Sequence, residues 1–123
     1  MSVLVDTSVW IRFLSNRAPF SAALDRLLAD DAVVGHQFVY GELLVGDRGA
    51  RRELLSSYER MEQIPAVSHG EVVAFVRARK FHGRGIGWID AHLLASALVA
   101  GVRLWTADAP LMVIAGELGI AYR

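Results

Sequence analysis

Four acidic residues occupy positions where the surrounding chain is apolar. Asp6 follows "VLV" (3–5) directly, and Asp108 follows "RLWT" with only Ala107 between. Glu42 lies inside "FVYGELLVG", where at 100° per residue it shares a stripe with Phe38, Val39 and Val45. Asp90 opens "WIDAHLLASALVA" and lines up with Leu93, Leu94 and Ala97, while His92 and Ser96 point roughly the other way. Taken singly, three of them have ordinary explanations. Asp6 before Thr7 and Ser8 reads as a helix N-cap, as does Asp108 before Ala109 and Pro110. Asp90 can complement a helix N-terminus. Glu42 is harder to explain, because a lone carboxylate on an apolar helix face costs several kcal/mol unless paired. No Lys or Arg lies one turn away, so an arginine from elsewhere in the fold is the ordinary alternative.

Together the four suggest one kind of chemistry. Carboxylates gathered on one edge raise each other's pKa unless a cation screens them. Hard divalent cations take oxygen ligands, and Mg²⁺ typically accepts one or two carboxylates while keeping its waters. The chain has no cysteine, and its histidines lie off the apolar stripes, so Mg²⁺ or Mn²⁺ is favoured over zinc. Such a cluster suits phosphodiester hydrolysis, in which the metal lowers the pKa of a bound water and stabilises the departing oxygen.

The elements that would position these acids alternate in type. Strands are expected at 2–5, 32–35, 63–67 and 102–106, with "IAYR" (120–123) as an edge strand. Helices are expected at 7–15, over "APFSAALDRLLADD", at 36–45, 49–61, 69–81 and 88–100, and over "APLMVIAGEL". This alternation predicts an α/β fold with a mainly parallel sheet. Right-handed crossovers then collect the strands' carboxyl ends on one edge, where Asp6 and Asp108 fall.

The bulk numbers narrow the class. A chain of 123 residues, 54% hydrophobic and 21% charged, fits one folded domain over 1–123 with a core of its own. With thirteen basic and thirteen acidic residues the net charge is zero, which argues against a protein that only coats nucleic acid. No basic region precedes the first apolar run, and "LLASALVAGV" is too short to span a bilayer. We therefore expect a cytoplasmic protein without membrane contact.

At the four acids the chain resembles the PIN-domain ribonucleases, and more narrowly the VapC-type toxins of bacterial toxin–antitoxin pairs. "VDTSVW", "GELLVG", "WIDAHLLASAL" and "LWTADAPL" carry the likeness, which runs from Val3 to about Ala115. It implies a three-layer α/β/α sandwich, a Mg²⁺- or Mn²⁺-dependent endoribonuclease, a homodimer and a VapB-like antitoxin partner. It further implies that Asp6, Glu42, Asp90 and Asp108 form the catalytic, metal-holding cluster, with Asp6 and Asp90 the direct ligands of the principal metal. Thr7 and Thr106 resemble the hydroxyl residues that support such sites. On this reading Asp6 holds a cation while neighbouring hydroxyls cap the helix.

Other features have plainer readings. "RARKFHGRG" (77–85) gathers Arg77, Arg79, Lys80, His82 and Arg84 before Asp90, as a solvated helix end or as an RNA-backbone contact. "GRGIG" follows a helix and lacks both GxGxxG and a Walker lysine, so it does not bind a nucleotide. Trp10, Phe13, Phe38 and Tyr40 are expected in core or dimer packing. A phosphoaspartyl phosphatase would need a second Asp where Ser8 stands. A receiver-like signalling domain would need an acidic pair near the first strand and a lysine after a late one, and both are missing. A catalytically silent PIN-like binding module is the alternative function.

Overall fold

The structure, a computed structural model, describes residues 2–123. Three short strands form its sheet: β1 (Val3–Val5), β2 (Val33–Val34) and β3 (Arg103–Trp105). Val3, Leu4 and Val5 are all buried, the unbroken apolar run expected of a parallel strand covered on both faces. The strand order is β2-β1-β3 and both pairings are parallel. Leu4 is matched with Val34 on one side and Leu104 on the other.

Seven helices surround this sheet among the described residues. They are α1 (Thr7–Leu14), α2 (Phe20–Ala29), α3 (Gln37–Val45), α4 (Arg52–Glu59), α5 (His69–Arg79), α6 (Trp88–Ala100) and α7 (Ala109–Glu117). The chain leaves β1 towards β2 through α1 and α2, then returns past β1 to β3 through α3 to α6. Right-handed crossovers that travel in opposite directions lay their helices on opposite faces. The expected three-layer α/β/α sandwich results. This reversal of direction also creates a switch point at the carboxyl ends of β1 and β3, where open parallel sheets keep their sites.

The core is built from Leu4, Trp10, Leu24, Leu43, Tyr58, Leu93, Leu94, Leu104, Leu111 and Ile114, all fully buried. Each such side chain contributes about 1.5–3 kcal/mol by leaving water. Leu94→Ala would cost about 2–5 kcal/mol through the cavity left behind.

Three expectations need correction. The strand at 63–67 reduces to a single parallel bridge between Gly35 and Gln63, because Pro65 has no N–H to continue a ladder. The edge strand at 120–123 is likewise one bridge, between Leu104 and Ala121. The helix expected at 49–61 starts only at Arg52. Asp47 Oδ1 accepts the N–H groups of Gly49, Ala50 and Arg51 at 2.8, 3.0 and 3.1 Å, and this turn takes the donors a longer helix would use. Beyond the apolar stripe read from the sequence, α6 is buried all round from Ala91 to Ala97, with His92 and Ser96 among the buried residues.

Candidate active site

Asp6 stands at the N-cap position of α1 but makes no side-chain cap bond. Its carboxylate instead draws hydroxyl donors from both strand ends. Ser8 Oγ donates to Asp6 Oδ2 at 2.7 Å and Thr106 Oγ1 donates to the same oxygen at 2.8 Å. These hydroxyls are themselves anchored, since Ser8 Oγ accepts Ala107 N–H at 3.0 Å and Thr106 Oγ1 accepts Asp108 N–H at 3.0 Å. The backbone supports this junction as well, with Asp6 N–H donating to Trp105 C=O at 2.8 Å. The result is a hydroxyl clamp joining the end of β1 to the end of β3, with a buried carboxylate at its centre. The expectation that hydroxyls near Asp6 cap the helix is therefore corrected: Ser8 serves Asp6 and Thr7 serves Glu42.

Glu42 takes its partner from α1. Thr7 Oγ1 donates to Glu42 Oε1 at 2.6 Å, a short bond of the charge-assisted kind. The only salt bridge among the described residues joins Arg84 to Glu117 and involves none of the four acids. The stripe read for Glu42 is correct in composition but only partly buried. Val39 is in the core, whereas Val45 is 88% exposed. Phe38, Gly41, Glu42 and Val45, together with Ile89 of α6, line an open, apolar groove of about 540 Å³.

Asp108 is the one acid of the four that acts as a conventional cap, its Oδ2 accepting Leu111 N–H at 3.1 Å. Asp90, in the first turn of α6, accepts Gly87 N–H at 2.9 Å through Oδ2. Its carboxyl is nonetheless raised above the ordinary carboxylate value. Burial is the largest cause, opposed by the Gly87 bond and reinforced by the negative charges of Asp6, Asp108 and Glu42. Asp90 on α6 thus lies within electrostatic reach of acids carried by three other segments of the chain.

The donor set suits a hard cation, because it offers carboxylate and hydroxyl oxygens with neither thiolate nor imidazole. Among the described residues no three acidic or imidazole side chains close tightly enough to hold an ion by themselves. An ion that retains much of its water suits such an open arrangement better than zinc does, since structural zinc sites are closed by the protein.

The basic segment divides. Arg77, Arg79 and Lys80 are exposed at the end of α5, whereas Arg84 is engaged by Glu117 through both guanidinium nitrogens, one at 2.8 Å. Arg84 therefore does not offer a free fork to a phosphate.

Two features escaped the sequence reading. Ser8 has its carboxylate partner two residues away but its Thr106 partner 98 residues away, so only the fold exposes its role. His36, fully buried at the N-cap of α3, accepts Phe38 N–H at Nδ1 (3.0 Å), which leaves Nε2 to donate to Ser96 Oγ (2.9 Å). Its own N–H donates to the Tyr58 hydroxyl at 2.9 Å. Burial, aided by the charge of His92, lowers the His36 pKa to about 4. The node locks α3, and hence Glu42, against α4 and α6. A histidine directly after the strand "AVVG" was the available signal.

Fold and site together define a class, and comparison with known proteins agrees. The PIN domain family matches residues 3–116, and the chain belongs to that family. It is 45% identical over 120 residues to Ribonuclease VapC32 from Mycobacterium tuberculosis, in strain CDC 1551 / Oshkosh and in strain ATCC 25618 / H37Rv alike. Each alignment covers 97% of this chain and 94% of the relative. The crystal structure of PAE2754 from Pyrobaculum aerophilum superposes with a TM-score of 0.58 at 16% identity, covering 97% of this chain and 96% of that one. At that identity the likeness concerns the fold alone. The resemblance to VapC-type ribonucleases thus extends over nearly the whole chain.

Proposed function

We propose that this PIN-domain protein is a Mg²⁺- or Mn²⁺-dependent endoribonuclease, the toxin of a toxin–antitoxin pair. Asp6, Glu42, Asp90 and Asp108 are its catalytic and metal-holding residues, and Thr7 and Thr106 support them. The observation that carries this reading is geometric: Ser8 and Thr106 fasten Asp6 where β1 and β3 end, Thr7 fastens Glu42 from the same helix start, and Asp90, already raised by burial, also feels the charges of those acids and of Asp108. Such uncompensated negative charge at a sheet switch point is what a divalent cation would neutralise.

When bound, the cation would polarise the scissile phosphate and lower the pKa of a water that attacks it. The protein's own part is positioning. Ser8 and Thr106 hold Asp6 through one carboxylate oxygen, which fixes the orientation of the other. Thr7 does the same for Glu42, and the Gly87 N–H for Asp90. Arg77, Arg79 and Lys80 would hold the RNA backbone.

For control of the activity, the reading includes a VapB-like antitoxin. An arginine from that partner could bridge two of the crowded carboxylates, while an amphipathic helix lies along the apolar groove beside Glu42. A homodimer belongs to the same proposal. Among the described residues no helix is long and apolar enough to cross a membrane.

Incubating the purified chain with RNA in Mg²⁺ or Mn²⁺ tests the proposal. Cleavage should yield 5′-phosphate ends, stop in chelator, and fall by orders of magnitude in Asp90→Asn. Cyclic-phosphate ends, or full activity in chelator, would overturn the mechanism. Co-expression with a neighbouring antitoxin gene should silence cleavage.

A further inference from the structure

Trp88 begins α6, two residues before Asp90, and is 42% exposed. The other large exposed hydrophobic residues among those described are aliphatic or methionine, so Trp88 is the one exposed side chain among the described Phe, Trp and Tyr residues. An indole normally reaches high burial in a fold of this size. This one is held in place without being covered. It meets His92 edge-on at 4.9 Å between centroids and 89° between planes, and lies against His69 at 5.1 Å and 57°. His92 is in turn buried edge-on to Phe38 at 4.7 Å. A ring braced in this way loses little freedom when something stacks on it.

The neighbouring charge indicates what would stack there. Arg77, Arg79 and Lys80 would hold the backbone of an RNA strand threaded past the acids, but such a grip leaves the bases without a partner. Base stacking on an aromatic face supplies one, and it tolerates any base. The basic residues Arg77, Arg79 and Lys80 stand at the far end of the loop that leads to Trp88. Gly83 and Gly85 let this loop turn, with φ of 72° and 86°. A protein partner would instead use the apolar groove, whose lining includes Ile89 but not Trp88, and the ring contacts of Trp88 are with the imidazoles of His69 and His92.

We propose that Trp88 is a base-stacking residue of the site, holding an unpaired nucleotide of single-stranded RNA beside the scissile phosphate. This rests on the ribonuclease reading above. Two measurements on the intact chain test it, using Trp88→Leu, which is apolar but cannot stack, and Trp88→Phe, which can. The first is cleavage kinetics on an oligonucleotide taken from the parent's own digest of total RNA. Trp88→Leu should raise KM by about 5- to 100-fold with kcat little changed, while Trp88→Phe stays within a few-fold of the parent. The second is quenching of indole fluorescence by that oligonucleotide in chelator. It should be present in the parent and lost in Trp88→Phe, because Trp10 is buried and Trp105 half-buried. A parent that cleaves while Trp88→Leu keeps the parent KM overturns the inference alone, as does quenching that survives in Trp88→Phe. So does a KM effect that follows a change in the chain's sedimentation mass, which would mark a protein contact. A parent that neither cleaves nor quenches overturns the ribonuclease reading and this one with it.

Discussion

Replacing Thr106 by valine removes one hydroxyl and leaves the volume of a buried side chain almost unchanged. That hydroxyl donates to Asp6 Oδ2 at 2.8 Å and accepts Asp108 N–H at 3.0 Å, in a residue only 4% exposed. A hydrogen bond to a charged group is worth about 1.5–3 kcal/mol and a neutral one about 1 kcal/mol. Ser8 still reaches the same carboxylate oxygen, so the loss should sit near the lower end, at about 2–3 kcal/mol. For a chain of this length each kcal/mol is worth about 4 °C in melting temperature. Calorimetric melts of the parent, Thr106→Val and Thr106→Ser should place the valine variant about 8–12 °C lower. The serine variant, which keeps the hydroxyl, should fall less. RNA cleavage should follow the same order, since Asp6 loses part of its fixed orientation. A valine variant that melts within a degree or two of the parent would refute the clamp, and so would a serine variant that falls just as far.

Other outcomes follow from the same geometry. Asp90 has a folded pKa raised above its unfolded value of 3.8, so its contribution is full below that value and is lost as pH rises through the folded one. In chelator, Asp90→Asn should therefore stabilise the protein near neutrality and lose that advantage towards pH 4; denaturant unfolding that shows the variant weaker at pH 7 would contradict this. His36 has the opposite sign. Its folded pKa is lowered from 6.5 to about 4, so its contribution is present above 6.5 and disappears as pH falls towards 4, amounting to at most about 3 kcal/mol. His36→Asn keeps a side-chain acceptor at the N-cap of α3 and should flatten that acid loss; a variant with the parent's slope would exclude His36 as its source. Arg79→Gln with Lys80→Gln should weaken RNA binding evenly across sequences and lower the salt slope by about 1.4. Arg84→Gln, already committed to Glu117, should leave that slope unchanged.

Much of the fold is local and was legible for that reason. β1 announces itself as an unbroken apolar run, and Asp6 follows its strand directly while Asp108 follows β3 after two residues, so their place on the carboxyl edge needed only the α/β alternation. Helical periodicity placed Asp90 over Leu93, Leu94 and Ala97, all of which are buried. Periodicity failed for Glu42's stripe because it reports composition and not coverage: Val39 met the core, while Val45 met solvent. It could not show that His92 and Ser96, on the other side of the same helix, are buried as well, because α6 is covered all round only from Ala91 to Ala97. The two outer strands shrank to single bridges, at Gln63 by reason of Pro65. Long-range polar partners could not be read at all. Ser8 with Thr106 and His36 with Ser96 are joined across 98 and 60 residues, and no local pattern carries that information.

On the proposed function, four acids from separate elements act as one cation site. Titrating the metal-free protein with Mn²⁺ by calorimetry, for the parent and for Asp6→Asn, Glu42→Gln, Asp90→Asn and Asp108→Asn, tests it most directly. Each variant should remain folded by circular dichroism. Each should bind Mn²⁺ more weakly than the parent, with Asp6→Asn and Asp90→Asn weakest, and cleavage should fall in the same order. Parent-like Mn²⁺ affinity in Asp6→Asn and Asp90→Asn would contradict the account.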